Sequence, residues 1–336
     1  VHYYRAMNYQ RLGDRQAALV ECRKANLKLE DYAQKAEYKL SYKNDAFLQY
    51  MTGLFYEAEG EWNDSYISYK DALKGYRAYD EAFGLRVPRM LLVDLARLAS
   101  RLGYDDEVAE FVERYRLRPG ERKPAPGGEI VVFVENGFVP RKRQVEYSVP
   151  IMEGEQKVAL WTVSERAVHR YRHPRVYHRG RVDYWLKVAL PEYREVNSQV
   201  AGVRLRAGEE SAIATEVEDL DAIAQRTFAQ KFDTIMLRTV ARNLAKYLAS
   251  KSIEKAFESD DYDKDKNKWA KEGLGEVLGG LVNLFGAATE AADTRSWLSL
   301  PRSIRIARLP VTGGMAAPTL EFIDDRGQIV FVEPLP

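Results

Sequence analysis

Residues 53–72 read GLFYEAEGEWNDSYISYKDA, and this stretch decides the fold of the N-terminal part. Gly53, Ser65 and Ala72 are small residues at positions where two neighbouring helices would touch, and Gly60 lies between the two helical segments. Small residues let two helix backbones approach closely, and a glycine tolerates the left-handed backbone that ends a helix. The stretch therefore predicts a helical hairpin with its turn at Gly60.

The same pattern occurs three times in residues 1–117, around Gly13, Gly60 and Gly103. It resembles the tetratricopeptide repeat, a helical module that binds other proteins, although the spacing here exceeds the usual length of about 34 residues. The additional residues at 27–44 and 73–88 keep a helical composition, so we expect the second helix of a repeat to be elongated. Such repeats imply a helical solenoid over residues 1–117.

Tyrosines are concentrated in this helical region, and two interpretations stay open for them. They either pack between helices or line a concave surface that binds an extended segment of a partner protein, for which a rigid ring with a polar hydroxyl is suited. The candidate partner-binding residues are Tyr32, Tyr38, Tyr42, Tyr56, Tyr76 and Tyr79.

The helical pattern ends at a linker, residues 118–128, which contains three prolines and three glycines. Proline interrupts both helices and central strands. After the linker the apolar residues alternate, and this period predicts a β-rich, sandwich-like domain over residues 129–336. The predicted fold class is α+β, and we expect the late strands to complete a sheet begun by the early ones. The predicted strands cover residues 129–134, 144–149, 157–163, 184–190, 200–205, 303–309, 319–323 and 328–332.

Two further helices are predicted inside the β-rich domain. The first is a long amphipathic helix near residues 219–257, with Glu216 and Glu218 among the acidic residues at its start. The second, near residues 273–292, is apolar on all sides, which fits a buried helix, an oligomer contact or a membrane-surface contact. The candidate assembly or membrane-contact residues are Leu278, Leu281, Leu284 and Phe285.

Composition and motifs argue against several functional classes. Lys plus Arg (51) nearly equals Asp plus Glu (50), which disfavours general nucleic-acid binding. Cys22 is the single cysteine, so an intramolecular disulfide is impossible. The sequence contains neither a phosphate-binding loop nor a nucleophile elbow. We therefore predict no catalytic, metal or cofactor site.

A basic segment near residues 169–178 is the main candidate for polar recognition. Histidines four apart could bind zinc on a helix, but Pro174 and the alternating arginines favour an extended loop, so we expect no metal there. Such a loop suits an acidic protein surface, a phospholipid headgroup or a wall polymer. The candidate residues of this basic loop are Arg170, Arg172, His173, Arg175 and His178.

Three segments, Tyr3–Ala25, Val217–Tyr247 and Ala287–Leu309, resemble an uncharacterised family of bacterial envelope proteins. The most specific element is ATEAADTRSW at residues 288–297. The resemblance implies N-terminal tetratricopeptide-like repeats, a C-terminal β-rich domain and a periplasmic location at the outer membrane. Because the helical pattern already begins at His2, we expect preceding residues that could carry a lipid anchor.

These observations predict a non-enzymatic scaffold or assembly factor of the cell envelope that binds other envelope proteins through its helical repeats. A homo- or hetero-oligomer is compatible with this function. Two alternatives stay open. One is a structural subunit of an outer-membrane-associated complex, with the apolar helix as its contact. The other is an enzyme acting on the cell wall or its lipids at the basic loop.

Overall fold

The computed structural model of the chain describes residues 1–35, 45–118, 121, 127–152, 182–258, 291–311 and 316–335. In these ranges the fold is α+β, as predicted, with most helices in the N-terminal part and the strands in the C-terminal part. The helices are α1 (His2–Arg11), α2 (Arg15–Lys35), α3 (Ala46–Ala58), α4 (Trp62–Phe83), α5 (Arg89–Leu102), α6 (Asp105–Tyr115) and α7 (Leu220–Glu258). The strands are β1 (Glu129–Asn136), β2 (Arg141–Met152), β3 (Val182–Arg194), β4 (Gly202–Ala207), β5 (Glu210–Ile213), β6 (Thr215–Asp219), β7 (Ser303–Pro310), β8 (Thr319–Ile323) and β9 (Ile329–Pro334).

The first six helices form three consecutive helical hairpins, α1–α2, α3–α4 and α5–α6, which confirms the pattern predicted from the sequence. Gly13, Gly60 and Gly103 lie at the three turns with φ of 76°, 78° and 75°. This left-handed backbone is accessible to glycine without steric cost, which explains why glycine recurs there. Helix α4 is elongated as expected. A solenoid of the tetratricopeptide type stays a prediction.

The strands form three antiparallel sheets. The central sheet has the order β1-β7-β6, the outer sheet has the order β5-β4-β8-β9, and the two-stranded sheet pairs β2 with β3. Strands β7 and β8 therefore lie beside strands from much earlier in the chain, as predicted. Strand β9 pairs only with β8, its own hairpin partner, within the part of the chain that the structure describes, so the expectation of pairing with an early strand is not met for residues 328–332.

The chain divides into two compact units. The first unit comprises Val1–Val139, Val196–Ala224 and Ser299–Pro336, and the second comprises Pro140–Glu195 and Gln225–Leu298. The first unit combines the helical hairpins with the central and outer sheets, so this division does not follow the linker. Independent domains at residues 1–117 and 129–336 stay a prediction.

Within the first unit, the central sheet lies between the helices and the outer sheet. On β7, Ile304 and Ile306 belong to the apolar core shared with the helices. The alternate residues Ala307 and Leu309 belong to a second core, which they share with Leu205 of β4. Because side chains on a strand point alternately to opposite faces, β7 is buried on both sides.

The second unit contains the two-stranded sheet and α7 from Gln225 onward, which pack through a small apolar core. The Nδ2 group of Asn243 on α7 donates a 2.8 Å hydrogen bond to a β3 backbone carbonyl. The long helix predicted near residues 219–257 is confirmed at Leu220–Glu258. The buried residues of this core are Leu186, Val188 and Leu190 of β3 and Met236 and Val240 of α7.

One sequence-based expectation needs correction, and one short strand was not predicted. Glu216 and Glu218 were expected at the start of the long helix, but they lie on β6. The helix begins one residue after Asp219, whose carboxylate accepts a 2.9 Å hydrogen bond from the backbone N–H of Ala222. Strand β5 was not predicted from the sequence because its four residues are too few to establish an alternating pattern.

Two predicted elements lie outside the described residues: the strand at 157–163 and nearly all of the apolar helix at 273–292. Among the helices that the structure describes, none has the length and apolar character needed to cross a bilayer.

Candidate functional site

The candidate tyrosines fall into different environments. Tyr76 and Tyr79 are each 2% exposed. The Tyr76 hydroxyl donates to the backbone oxygen of Val217 at 2.7 Å, and the Tyr79 hydroxyl accepts from the backbone N–H of Ala46 at 3.2 Å. The prediction that these two tyrosines face a partner is therefore corrected, because their rings and hydroxyls are used inside the fold.

The other candidate tyrosines are more accessible or lie outside the described ranges. Tyr32 is exposed, with the ammonium of Lys28 5.0 Å from its ring centroid. Tyr56 is partly buried, and its hydroxyl accepts a 3.4 Å hydrogen bond from Arg23. Tyr38 and Tyr42 are outside the described residues. The tyrosines are thus not gathered into one described surface.

The basic loop and the apolar contact segment also fall outside the described residues. Their roles stay predictions. The residues concerned are Arg170, Arg172, His173, Arg175, His178, Leu278, Leu281, Leu284 and Phe285.

A different site is evident in the first unit, where the helices face the central sheet. A cavity of about 650 Å³ lies there, a size typical of pockets that hold small ligands or a few side chains. Helices α1, α3, α4 and α5 form one wall, and strands β1 and β7 form the other. The lining residues are Met7, Gln10, Leu54, Phe55, Glu57, Ala58, Trp62, Arg97, Arg101, Gly128, Glu129, Val131, Phe133 and Arg308.

Five charged side chains form a network at this cavity, which we call the charge cluster: Glu57, Asp94, Arg97, Glu129 and Arg308. Arg97 bridges Glu57 at 2.6 Å and Asp94 at 3.1 Å. Arg308 bridges Asp94 directly, Glu129 at 2.8 Å and Glu57 at 3.6 Å. The cluster connects α3 and α5 with both strands of the opposite wall.

Two buried tyrosines donate further hydrogen bonds to the carboxylates of the charge cluster. The Tyr50 hydroxyl donates to Asp94 Oδ2 at 2.6 Å, and the Tyr69 hydroxyl donates to Glu57 Oε2 at 2.7 Å. Asp94 itself is only 2% exposed. A buried carboxylate is costly unless it is paired and hydrogen-bonded, and here both conditions are met.

The charge cluster shifts the pKa values of the two adjoining tyrosines and of Arg308. Burial and the neighbouring carboxylates raise the pKa of Tyr50 and of Tyr69 well above their usual range. Burial lowers the pKa of Arg308, but the carboxylates of Asp94 and Glu129 and the neighbouring tyrosines outweigh this effect and hold it well above its usual value. General acid–base catalysis needs a group that titrates near the working pH. The resolved shifts move the pKa values of Tyr50, Tyr69 and Arg308 further from neutral pH.

The cavity also has a partly accessible rim. The guanidinium of Arg101 lies 4.0 Å from the ring centroid of Trp62, a cation–π contact. Both residue types are enriched among the side chains that dominate protein–protein binding. Arg101 is exposed and Trp62 is half-buried, so both can contact a bound molecule.

The charge cluster was missed in the sequence analysis, although one local signal exists. Asp94, Arg97 and Arg101 recur along α5 among fully buried leucines such as Leu95 and Leu98. A charged residue on the apolar face of a helix needs a buried partner. The sequence could therefore have indicated a polar site on α5, but it could not identify Arg308 as the partner.

The chain matches no protein-family model, no curated protein and no solved structure. The resemblance to bacterial envelope proteins accordingly stays a prediction. Among the described residues no cluster of three or more histidine, cysteine, aspartate or glutamate side chains is arranged to hold a metal ion.

Proposed function

We propose that this chain is a non-enzymatic scaffold or assembly factor that binds a segment of a partner protein at the cavity between the helical hairpins and the central sheet. The observation that carries the proposal is the composition of the cavity wall. Aromatic and aliphatic side chains surround the ion-paired charge cluster, and an arginine stacked on a tryptophan lies at the rim. Such a wall provides rigid apolar contact area together with fixed polar groups.

The helical hairpins support this proposal further. Tandem helical hairpins are a common architecture for binding extended protein segments. A tetratricopeptide-like stack of the three hairpins, with one wall of the cavity on its inner surface, is part of the proposal. The location in this proposal, the periplasm at the outer membrane, rests on the resemblance of three sequence segments alone. Association with the membrane through a preceding anchor belongs to the same proposal.

A cavity-filling substitution provides the test. Ala58 is an exposed residue of the cavity wall, so Ala58→Trp should occupy the cavity without removing an existing contact. Ala109→Trp is the matched control, because Ala109 is an exposed residue of α6 that does not line the cavity. The parent and both variants are immobilised, and proteins captured from a detergent extract of bacterial envelopes are quantified by mass spectrometry.

We expect at least one protein to be captured by the parent and by Ala109→Trp, and to be about tenfold depleted on Ala58→Trp. Capture that is identical on all three proteins would contradict the proposal. Circular dichroism and thermal melting of the three proteins establish that the loss does not arise from unfolding.

A further inference from the structure

Strand β1 forms one edge of the central sheet. Its sequence, EIVVFVEN, contains no proline and no lysine, and its register against β7 is continuous from Glu129↔Pro310 to Asn136↔Ser303. Natural proteins usually protect an edge strand with lysine, proline, a bulge or a covering element, because its unpaired backbone groups attract other strands. Strand β1 has none of the first three features.

The pairing pattern shows which backbone groups are directed away from β7. The carbonyl of Gly128 accepts a 2.9 Å hydrogen bond from the N–H of Val311, which extends the β1–β7 register by one residue. Hydrogen-bonded and non-hydrogen-bonded pairs alternate in an antiparallel ladder. The groups directed to the outer side of β1 are therefore the N–H and C=O of Glu129, Val131, Phe133 and Glu135.

The partial exposure of β1 residues also indicates that the outer side of this strand is open. On β7, in the middle of the sheet, Ile306 and Ala307 are completely buried. The paired β1 residues Val132 and Phe133 are only half-buried, although they are equally apolar or more so. Among the described strands, β7 alone pairs with β1. An additional strand on the outer side would bury apolar surface that is now partly exposed.

The outer side of β1, which we call the free edge, lies beside the cavity. The side chains of Glu129, Val131 and Phe133 line it, and these residues also direct their backbone groups outward. In an antiparallel pair, residues that face each other across the ladder have side chains on the same face of the sheet. Residues opposite Val131 and Phe133 on an added strand would consequently project toward the cavity.

The charges at the two ends of the free edge distinguish between two possible occupants, a second copy of this chain and a different protein. Glu129 and Glu135 are exposed and lie at the two ends of the free edge. Suppose that two β1 strands paired antiparallel through the four residues whose backbone groups point outward. Glu129 of each copy would then lie opposite Glu135 of the other, at both ends of the pair. Like charges directly opposite each other destabilise a strand pair. A strand with basic residues at these positions would instead be stabilised.

The surroundings of the two glutamates support this charge preference. Glu135 accepts hydrogen bonds from the neutral hydroxyls of Tyr3 and Tyr4. Glu129 belongs to the charge cluster, in which three carboxylates face two guanidinium groups. Each end of the edge therefore carries negative charge.

We propose that the free edge of β1 binds an extended segment of a partner protein as an added antiparallel strand, with apolar residues opposite Val131 and Phe133 and basic residues opposite Glu129 and Glu135. This inference rests on the proposed function and specifies how the partner is recognised. Backbone hydrogen bonds supply affinity in strand addition, and the alternate side chains supply specificity.

A labelled peptide with the sequence KTVTLTK is the probe, and it should bind the parent protein. Its first, third, fifth and seventh residues would stand opposite Glu135, Phe133, Val131 and Glu129, and their N–H groups would bond to β1. N-methylation of the third residue should weaken binding about tenfold or more, since it removes a hydrogen bond and introduces a clash at the edge. N-methylation of the fourth residue, whose N–H points to solvent, should leave the affinity nearly unchanged. Equal effects of the two methyl groups, or no binding of the unmodified peptide, would overturn strand addition.

A charge exchange tests the register. Glu135→Lys should weaken binding of KTVTLTK and strengthen binding of the peptide ETVTLTK, whereas the parent protein should show the opposite preference. The same order of preference in both proteins would overturn the assigned register.

Sedimentation equilibrium tests the rejected occupant, a second copy of this chain. We expect no dimer that depends on the free edge, because the glutamates of two β1 strands would repel each other. A dimer of the parent that dissociates when KTVTLTK is added would overturn the proposal and assign the edge to a second copy.

The two proposals fail in different ways. If Ala58→Trp abolishes capture but the two N-methylated peptides bind with equal affinity, strand addition is wrong and the cavity function stands. If Ala58→Trp changes no capture while the peptide binds with the expected methyl dependence, the cavity function is wrong and the edge stands as a separate binding site.

Discussion

Gly53 of α3 lies directly against the ring of Tyr69 of α4, and a Cβ atom at position 53 would clash with that ring. The same tyrosine donates a hydrogen bond to Glu57, one turn further along α3. The close helix contact predicted from the sequence thus also positions a member of the charge cluster. The buried hydroxyl of Ser65, which donates to the Gly53 carbonyl at 2.8 Å, fixes the same contact.

We predict that Gly53→Leu destabilises the protein by about 1–3 kcal/mol or more, because the extra atoms force α3 and α4 apart. Ser100→Leu, at an exposed position of α5, is the control and should stay within about 0.5 kcal/mol of the parent. Urea denaturation followed by circular dichroism measures both. Equal stability of the two variants would show that the α3–α4 contact is not tightly packed.

Arg308 provides a test of the charge cluster. Arg308→Met should cost about 3–5 kcal/mol, because it leaves buried carboxylates that only Arg97 still pairs. Arg114→Met is the control, since Arg114 and its partner Glu110 are 54% and 62% exposed and such pairs contribute about 0–1 kcal/mol. The free energies of unfolding come from the same denaturation experiment. A small loss for Arg308→Met would mean that the cluster contributes little to folding.

The buried carboxyl group of Glu218 should make the folding stability depend on pH in a specific way. Glu218 is 3% exposed, and neither carboxyl oxygen has a hydrogen-bond partner among the residues that the structure describes. Burial, and then the charges of Asp45 and Asp219, raise the pKa of Glu218 well above its usual value. The folded protein therefore keeps a proton that the unfolded chain releases above a pKa of about 4.3. The stability linked to this proton is complete below that pKa and declines as the pH rises toward the folded value.

Glu218→Gln removes this titration while keeping a similar shape. We expect the variant and the parent to melt at similar temperatures at about pH 4, and the variant to melt higher at about pH 8. Glu216→Gln is the control, because Glu216 is 43% exposed and paired with Arg305. If the melting temperatures of the parent and of Glu218→Gln differ by the same amount at both pH values, the result would contradict a proton on Glu218 in the folded protein.

The parts of the fold that the sequence predicted are those determined by local preferences. Glycine at Gly13, Gly60 and Gly103 marks turns that few other residues allow, and alternation identified most of the long strands. Strand β6 was missed because Glu216 and Glu218 resemble the acidic residues that favour the start of a helix. A tertiary contact, from Tyr76 to the Val217 backbone, holds this segment as a strand instead.

The candidate site depends on contacts that a local pattern cannot show. Asp94 and Arg308 are 214 positions apart, and nothing in either neighbourhood identifies the other as its partner. The free edge of β1 is equally non-local. The apolar run at residues 129–134 predicted a strand, but only the order β1-β7-β6 shows that no other described strand pairs with its second side.

The last prediction concerns the second unit, in which α7 covers the two-stranded sheet. Val240 is 2% exposed and packs among the apolar residues of β3, whereas Leu237 on the same helix is 53% exposed. Val240→Asp would bury an unpaired charge and should destabilise the unit by several kcal/mol, while Leu237→Asp should have little effect. Hydrogen exchange measured by mass spectrometry should show faster exchange in β2, β3 and α7 of Val240→Asp. Unchanged exchange in these elements would contradict the packing of α7 on the sheet, and an equal increase in α3–α5 would show that the two units unfold together.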